Sequence, residues 1–225
     1  MGTIVLHGWT TSIDKWKPLM DFLKKLNPKL LTIPGLTEKI DKPWNLETYI
    51  SWLGKIVSKE KGKVTLIGHS NGGRISIAFT AKNPNKVSKL ILIDSAGIYH
   101  KEFYLQLKRF LFKGAAKIGK RLGKSDALRN ILYKLAGESD YKNANGLQRQ
   151  TMVNLISVDL TEELKKIKVP TLIIWGKEDT ITPLSDGELM HKLIEGSKLE
   201  VIKDARHSPQ FTHPKEVAKA VYEYI

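Results

Sequence analysis

The stretch that decides the fold is residues 63–79, which read Lys-Val-Thr-Leu-Ile-Gly-His-Ser-Asn-Gly-Gly-Arg-Ile-Ser-Ile-Ala-Phe. It begins with a short apolar run, Val64–Ile67, which is typical of a buried strand. Gly68 ends that run, Ser70 follows, and Gly72 begins a pattern of apolar residues at helical spacing. We therefore predict a strand, then a sharp turn that carries a serine, and then a helix.

The five residues 68–72 fit the pattern G-x-S-x-G, which is known as the nucleophile elbow. Glycines are expected there because side chains at the flanking positions would collide with the neighbouring strand and helix, and the serine backbone is strained. The turn lifts the hydroxyl of Ser70 above the sheet, beside a helix N-terminus whose N–H groups can stabilise an oxyanion. The alternative is a glycine-rich turn of another α/β fold, in which the serine only caps the helix.

Composition narrows the class of protein further. A chain of 225 residues with 41% hydrophobic and 27% charged residues suits a single globular domain with a full core. The absence of cysteine excludes disulfides, zinc sites with thiolate ligands and cysteine nucleophiles. No apolar run is long enough to span a bilayer, and Thr3–Leu6 is too short for the core of a signal peptide. We therefore expect a cytoplasmic protein.

Short apolar runs alternate with amphipathic stretches along the chain. The predicted strands are Thr3–Leu6, Leu30–Ile33, Val64–Ile67, Leu90–Ile93, Thr171–Trp175 and Leu199–Ile202. The predicted helices cover residues 14–26, 46–60, 72–83, 184–195 and 214–224. Near-continuous apolar runs suit strands that are covered on both faces. The alternation thus predicts an α/β fold with a mostly or wholly parallel sheet of about six strands, flanked by helices.

Residues 98–165 interrupt this alternation with apolar residues at helical spacing only. We predict a helical insertion there, between core segments 1–97 and 166–225, above the ligand-binding edge of the sheet. Residues 98–150 hold 12 Lys or Arg against four Asp or Glu, a net charge of +8 out of +14 for the chain. This charge could steer anionic substrates, contact an anionic membrane surface weakly, or form a solvated face, which we favour. No nucleic-acid-binding module is recognised, so we expect no nucleic-acid partner.

A serine hydroxyl needs a base to become a nucleophile, and the base needs a carboxylate that orients it. Asp179 directly follows the fifth predicted strand and His207 follows the last one, so both reach the same edge of the sheet as Ser70. The order serine, acid, histidine is the one that the elbow fold uses. We therefore select Ser70, Asp179 and His207 as the catalytic candidates.

Other residues compete for these roles. Asp179 could instead cap the following helix, although Thr182 before Pro183 fits that role better. Glu178 is an alternative carboxylate, and Asp94, which we interpret as structural, ends the fourth strand and could reach the site. The remaining histidines have other expected positions: His213 at a helix start, His69 packed against the sheet, and His100 and His191 at the surface.

An oxyanion hole needs two converging N–H donors. Asn71 follows the serine directly and supplies the first. The second is expected from the loop after the first strand, where Gly8 allows close approach of the backbone and Trp9 provides the N–H.

With these residues in place, the chain resembles the α/β-hydrolase superfamily, and most closely its small serine carboxylesterases with a helical cap. The resemblance covers nearly the whole chain and rests on five motifs: His7-Gly8-Trp9 with Trp16 downstream, Gly68-His69-Ser70-Asn71-Gly72-Gly73, Leu90-Ile91-Leu92-Ile93-Asp94, Gly176-Lys177-Glu178-Asp179 and His207-Ser208-Pro209. It implies that Ser70 is the nucleophile, His207 the base and Asp179 the acid. It also implies oxyanion-hole amides at Trp9 and Asn71, and a cap at about residues 98–165.

The sequence departs from the family pattern at two points. The full family sheet has eight strands, whereas this chain begins on the strand that ends in His-Gly, so we expect six strands. An edge left bare in this way could be covered in a homodimer. Arg206 stands where the family often has glycine, and a cation that points inward there would lower the pKa of His207.

The function expected from these residues is hydrolysis of small carboxylic esters, with short to medium acyl chains, through an acyl-enzyme on Ser70. Phe103, Tyr104 and Phe110 of the cap are candidates for the acyl pocket. We expect no metal and no organic cofactor. The same apparatus also serves acyltransferases, thioesterases and C–C bond hydrolases, and a non-catalytic ligand-binding protein on this fold is a further alternative.

Overall fold

The computed structural model describes residues 2–9, 12–102, 104–105 and 146–225 of the chain. The strands are β1 (Thr3–Leu6), β2 (Pro28–Leu31), β3 (Val64–His69), β4 (Val87–Ile93), β5 (Thr171–Gly176) and β6 (Lys198–Ile202). They form one sheet in the order β2-β1-β3-β4-β5-β6, and every neighbouring pair is parallel. The predicted α/β fold with a parallel sheet of six strands is confirmed.

Helices connect the strands and cover both faces of the sheet. They are α1 (Lys17–Phe22), α2 (Leu46–Val57), α3 (Asn71–Lys82), α4 (Gly146–Ile156), α5 (Thr161–Lys165), α6 (Leu184–Leu193), α7 (Pro209–Thr212) and α8 (Pro214–Tyr224). The helix predicted over residues 14–26 is divided into a 3₁₀ turn, α1 and a second 3₁₀ turn. Pro18 lies in the first turn of α1, where its missing N–H costs nothing.

Two hydrophobic cores lie on opposite faces of the sheet. Ile4 and Leu6 of β1 point into the core that contains α2 and α3, whereas Val5 between them points into the core of α1 and α8. Leu90 and Ile91 of β4 divide in the same way. Because the inner strands β1, β3, β4 and β5 are buried on both faces, most positions of their runs are apolar, which explains the continuous runs in the sequence.

Strand β2 is shifted as a whole from its predicted bounds, whereas β4 begins three residues before its predicted start and β3 ends two residues after its predicted end. Strand β2 covers Pro28–Leu31 rather than Leu30–Ile33, and Pro28 lies opposite Thr3 of β1. A proline at the first position of an edge strand is tolerated because its missing N–H breaks no ladder bond. The apolar residue Ile33 is buried in the loop after the strand instead.

The strand order indicates where along the edge of the sheet a ligand would bind. Strand β1 lies between β2 and β3, so the chain runs outward from β1 to β2 and then returns to β3 on the other side. Ligands of open α/β sheets bind beyond the carboxyl ends of the strands at such a reversal. His7 after β1 and Ser70 after β3 lie at this point. Within the described ranges, no helix has the length and apolarity that a membrane span requires.

Candidate active site

Ser70 occupies the sharp turn between β3 and α3. Its backbone has φ 52° and ψ −119°, a combination that L-residues rarely adopt and that stores strain. A Cβ on Gly72 would lie 2.2 Å from the carbonyl oxygen of Leu6, and one on Gly68 would lie 2.7 Å from the Cα of Gly73. The turn is therefore as tight as the glycine pattern predicted, and side chains at these two positions would force the strand and helix apart.

The structure brings Ser70, His207 and Asp179 into one hydrogen-bonded chain. Nε2 of His207 lies 3.1 Å from Oγ of Ser70, and its Nδ1 lies 2.8 Å from Oδ2 of Asp179. The side chain of Asp179 is fully buried, while that of His207 is 17% exposed. These three residues come from loops after β3, β5 and β6, which meet at the carboxyl edge of the sheet as the sequence predicted.

Asp179 is fixed by the loop that follows it. Its Oδ1 accepts hydrogen bonds from the backbone N–H of Ile181 at 2.7 Å and of Thr182 at 3.2 Å. The hydroxyl of Thr182 donates to Oδ2 at 2.7 Å, next to the bond from His207. A carboxylate only accepts, so Nδ1 of His207 carries the proton in this pair. Nε2 of the neutral imidazole is then free of a proton and can accept the one on the Ser70 hydroxyl.

Thr182 has a different role from the one that the sequence indicated. It was expected to cap α6, but the residue that precedes α6 is Pro183, and no side chain caps the helix there. The hydroxyl of Thr182 contacts Asp179 instead. The position of Thr182 three residues after Asp179 could have indicated this contact, but Pro183 next to it favoured the interpretation as a helix cap.

His69 is hydrogen-bonded to the main chain of His207. It is buried, as expected for a residue packed against the sheet, and its ring lies edge-on to Trp16. Its Nε2 lies 2.8 Å from the backbone carbonyl oxygen of His207, which can only accept, so His69 donates this bond. Burial, together with the nearby His207, lowers the pKa of His69 well below its ordinary value. His69 is therefore neutral and holds the main chain of His207 in place.

The two segments expected to supply oxyanion donors lie beside Ser70. Asn71 is the first residue of α3, so its N–H belongs to the first turn, where amides have no partner within the helix. A Cβ on Gly8 would lie 2.8 Å from Cβ of Ser70, so the loop that carries Trp9 packs directly against the elbow. The side chain of Asn71 contacts Met152 of α4, with 3.5 Å between its Nδ2 and the sulfur.

The competing acid and base stay outside the hydrogen-bonded chain. The side chain of Glu178 is 52% exposed and lies 3.8 Å from Nε of Arg206, whose side chain is 67% exposed. Arg206 thus points to solvent rather than inward toward His207. His213 precedes α8, and its Nδ1 pairs with the hydroxyl of Thr212.

His100 has a partner that the sequence did not indicate. It was expected to be a surface residue, and its side chain is 45% exposed, but its Nε2 lies 2.9 Å from a carboxylate oxygen of Asp186. Asp186 on α6 is buried, and this burial raises the pKa of its carboxyl group, which the bond from His100 partly offsets. The two residues are 86 positions apart, so no local pattern could have paired them.

Part of the predicted cap packs against the core. Thr151 of α4 accepts a hydrogen bond from the N–H of Trp44, and Asn154 donates one to the carbonyl of Trp44, both at 3.0 Å. Tyr104 is partly buried against the core and lies 5.6 Å from Tyr99, measured between ring centroids.

The other two candidates for the acyl pocket, Phe103 and Phe110, lie outside the described residues, as does the basic stretch from 106 to 145.

Among the described residues, one group of acidic and imidazole side chains lies close enough to hold a metal ion. It consists of Asp94, Asp179 and His207, with one atom of each within 4.8 Å of the others. Asp179 and both ring nitrogens of His207 are already engaged in the hydrogen-bonded chain. The ligand atoms that these two residues offer are therefore already in hydrogen bonds with other side chains.

Comparison with known proteins gives a consistent result. Over 252 residues, 99% of this chain and 74% of the human monoacylglycerol lipase ABHD6 align at 25% identity. The uncharacterized hydrolase YugF of Bacillus subtilis aligns at 23% identity over 99% of this chain and 89% of its own length.

Solved structures share the fold. A lipase-esterase related protein from Clostridium acetobutylicum superposes with a TM-score of 0.76 at 21% identity, covering 100% of this chain and 94% of that protein. A thermophilic esterase from Thermogutta terrifontis superposes with the same TM-score at 23% identity, covering 100% and 90%. Residues 42–214 match the family described as alpha/beta hydrolase fold. Because this match covers well over half of a chain that also has the six-stranded parallel sheet and the serine elbow, the protein belongs to the alpha/beta hydrolase family.

Proposed function

We propose that the protein hydrolyses carboxylic esters, with Ser70 as nucleophile, His207 as general base and Asp179 as the acid that orients it. The observation that carries this proposal is the continuous hydrogen-bonded chain from Ser70 Oγ through His207 to Asp179, with links of 3.1 and 2.8 Å. Links of this length are those that a nucleophile and its base require. The family membership supports hydrolysis, and the geometry supports the roles of these three residues.

In the first step, Oγ of Ser70 attacks the carbonyl carbon of the ester while Nε2 of His207 takes the hydroxyl proton. The positive charge that develops on His207 is stabilised by Asp179. The carbonyl oxygen becomes an oxyanion and receives hydrogen bonds from the backbone N–H groups of Trp9 and Asn71. The intermediate then collapses, the bond to the alcohol breaks, and His207 gives its proton to the leaving alkoxide.

In the second step, His207 removes a proton from a water molecule, which attacks the acyl group on Ser70. A second tetrahedral intermediate forms and breaks the bond to Oγ, which recovers its proton from His207. The carboxylic acid is released and the enzyme returns to its starting state. Every proton in this cycle passes through Nε2 of one imidazole, and no metal or organic cofactor takes part in it.

The substrate that we propose is a small ester with a short to medium acyl chain. Tyr104, Phe103 and Phe110 are proposed to contact that chain, and the basic residues of the predicted cap to form a solvated face. Monoacylglycerol lipase is the name of several relatives, so a monoacylglycerol belongs in the substrate panel. Salt-dependent activity toward anionic esters would instead support steering by the basic residues.

The decisive experiment compares Ser70→Ala with Ser58→Ala, which removes an exposed serine at the end of α2. We expect Ser70→Ala to lose turnover of p-nitrophenyl butyrate and labelling by a fluorophosphonate, while Ser58→Ala keeps both. Retained turnover in Ser70→Ala would refute the assignment. A wild-type protein that does not react with the fluorophosphonate would favour a non-catalytic ligand-binding role.

The alternatives that use the same three side chains are acyl transfer, thioester hydrolysis and hydrolysis of a C–C bond. A panel of p-nitrophenyl esters of rising acyl length, run beside a thioester and a monoacylglycerol, separates thioester hydrolysis from ester hydrolysis. Added alcohol acceptors reveal acyl transfer as an ester product in place of the free acid. A β-diketone serves as the probe for C–C bond cleavage.

Two further expectations are proposals about the whole protein. We propose a cytoplasmic location, supported by the absence of cysteine, which suits a reducing compartment. We also propose a homodimer formed over an edge of the sheet, supported by the partly exposed edge strand β2. Cell fractionation tests the first. Light scattering during gel filtration tests the second, which a monomeric mass would refute.

A further inference from the structure

Asp94 is a second buried carboxyl group behind the hydrogen-bonded chain. It follows β4, is fully buried, and has a left-handed backbone with φ 40°. Its Oδ1 accepts a hydrogen bond from the N–H of Gly176 at 2.8 Å. Its Oδ2 is buried as well and has no hydrogen-bond partner in the part of the chain that the structure describes. A buried polar atom without a partner calls for an explanation.

The surroundings of this atom supply one. A carboxyl oxygen of Asp94 lies within 4.8 Å of both an oxygen of Asp179 and a ring nitrogen of His207. The main chain of Asp94 is tied to the same region, because its carbonyl oxygen lies 3.3 Å from the hydroxyl of Thr182. Asp94 thus contacts Gly176 and Thr182, which lie before and after Asp179 in the chain.

The two carboxyl groups differ sharply in the hydrogen bonds that they receive. Asp179 accepts four, from two backbone amides, Thr182 and His207. Asp94 accepts one, from Gly176. Two carboxylates this close in a buried site do not both carry a charge, and the one with fewer donors retains the proton.

We propose that Asp94 is a protonated carboxylic acid at neutral pH, with its proton on Oδ2 beside the Asp179–His207 pair, which makes it a positioning residue for the reaction. This inference rests on the proposed function only for its effect on turnover. Burial raises the pKa of Asp94 well above its ordinary value. A charge on His207 opposes this increase, the charge on Asp179 adds to it, and the hydrogen bond from the N–H of Gly176 opposes it.

A neutral Asp94 matters because of what a charged one would do. A second negative charge beside His207 would stabilise its protonated form and leave less of the neutral imidazole to act as a base. Protonation removes that charge and leaves an uncharged group packed beside the pair.

The groups that act on this site come from several elements. Asp179 and His207 face Asp94 directly. Asp186 of α6, paired with His100, interacts with Asp179, and His69 of β3 interacts with His207.

The first test is the pH dependence of kcat/KM in Asp94→Asn. Asparagine has the shape of a neutral carboxylic acid, keeps an acceptor and a donor, and tolerates a left-handed backbone. We expect kcat/KM at neutral pH to stay within about threefold of wild type, and the midpoint of the acid limb to move by less than about 0.3 pH units. An ionised Asp94 would give a different result, because losing a charge at this distance should lower that midpoint by roughly one to two units. A shift of that size would overturn the proposal.

The second test reads the proton without using activity. In protein labelled with ¹³C at the aspartate carboxyl groups, we expect one resonance of a protonated carboxyl at pH 7 that disappears in Asp94→Asn. Asp204→Asn is the matched control, since Asp204 also has a left-handed backbone, with φ 61°, but is exposed. This experiment can be done on Ser70→Ala protein, so it stands even if the esterase assignment fails. Absence of the protonated resonance would refute the protonation of Asp94.

The positioning role has its own variant, Asp94→Gly, which deletes the side chain at a backbone angle that glycine adopts readily. We expect kcat to fall about tenfold with less than a twofold change in KM, because the pair loses the group that packs beside it while substrate binding is left intact. Near-wild-type kcat in a folded Asp94→Gly protein would refute the positioning role.

Discussion

Gly72→Ala tests how the elbow holds the site together. The added Cβ would lie 2.2 Å from the carbonyl oxygen of Leu6, 2.5 Å from the carbonyl carbon of Leu6 and 2.6 Å from the carbonyl oxygen of His7. All three are backbone atoms of β1 or of the residue after it, so no side chain can rotate away. Relief requires α3 and the end of β1 to separate by about 1 Å, the difference between these contacts and an ordinary van der Waals distance.

That separation has two measurable effects. Overpacking against the backbone should lower the free energy of unfolding by roughly 1–3 kcal/mol. It also moves the amide of Asn71 away from that of Trp9, which follows β1 closely, so the proposed oxyanion donors no longer converge. A misplacement of about 1 Å at reacting groups can cost on the order of 100-fold in rate, and we expect a loss of that order in kcat/KM.

The assay pairs kcat/KM for p-nitrophenyl butyrate with urea unfolding, and Gly54→Ala is the control. Gly54 lies inside α2, and a Cβ there would have its nearest contact at 3.7 Å, with Phe79. Alanine is the better helix former, so this variant should gain about 0.5–1 kcal/mol and keep full activity. A Gly72→Ala protein with wild-type stability and kcat/KM would show that the elbow is looser than its geometry indicates.

Three further variants test individual contacts. His69→Leu loses the hydrogen bond to the backbone of His207 and should lower kcat/KM about tenfold, whereas His69→Gln keeps a donor and should lose less than threefold; equal losses would contradict the role of this bond. Asp186→Asn removes a carboxyl whose pKa is raised by burial above 3.8. The unfolding free energy of the variant relative to wild type should therefore increase as the pH rises above about 4, and a difference in urea unfolding that stays constant with pH would contradict this sign. Tyr49→Phe loses a 2.6 Å hydrogen bond to a backbone carbonyl and should cost about 1–2 kcal/mol in the same assay, with no change in kcat/KM.

The sequence predicts this fold well because the four inner strands are buried on both faces. Apolar runs such as Val64–Ile67 and Thr171–Trp175 therefore stand out from the amphipathic helices around them. The edge strand β2 has only one buried position, Leu31, so its run carries less information and its bounds were displaced by two residues.

The candidate site could be predicted to the extent that its residues follow strands. Ser70, Asp179 and His207 each lie just beyond a strand end, and parallel topology brings such positions to one edge. The support around them could not be predicted, because it depends on contacts between distant loops. The bond from His69 to the carbonyl of His207 joins residues 138 positions apart. The burial of Asp94 Oδ2 without a hydrogen-bond partner among the described residues depends on the pairing of β4 with β5, which the sequence does not show.

The left-handed backbone of Ser70 has a consequence for how this chain can evolve. A glycine at position 70 would occupy φ 52° without steric penalty, so the fold by itself favours losing the serine. Screens for thermal tolerance alone should therefore drift toward inactive proteins at this position, and only a screen that also scores turnover would retain the hydroxyl.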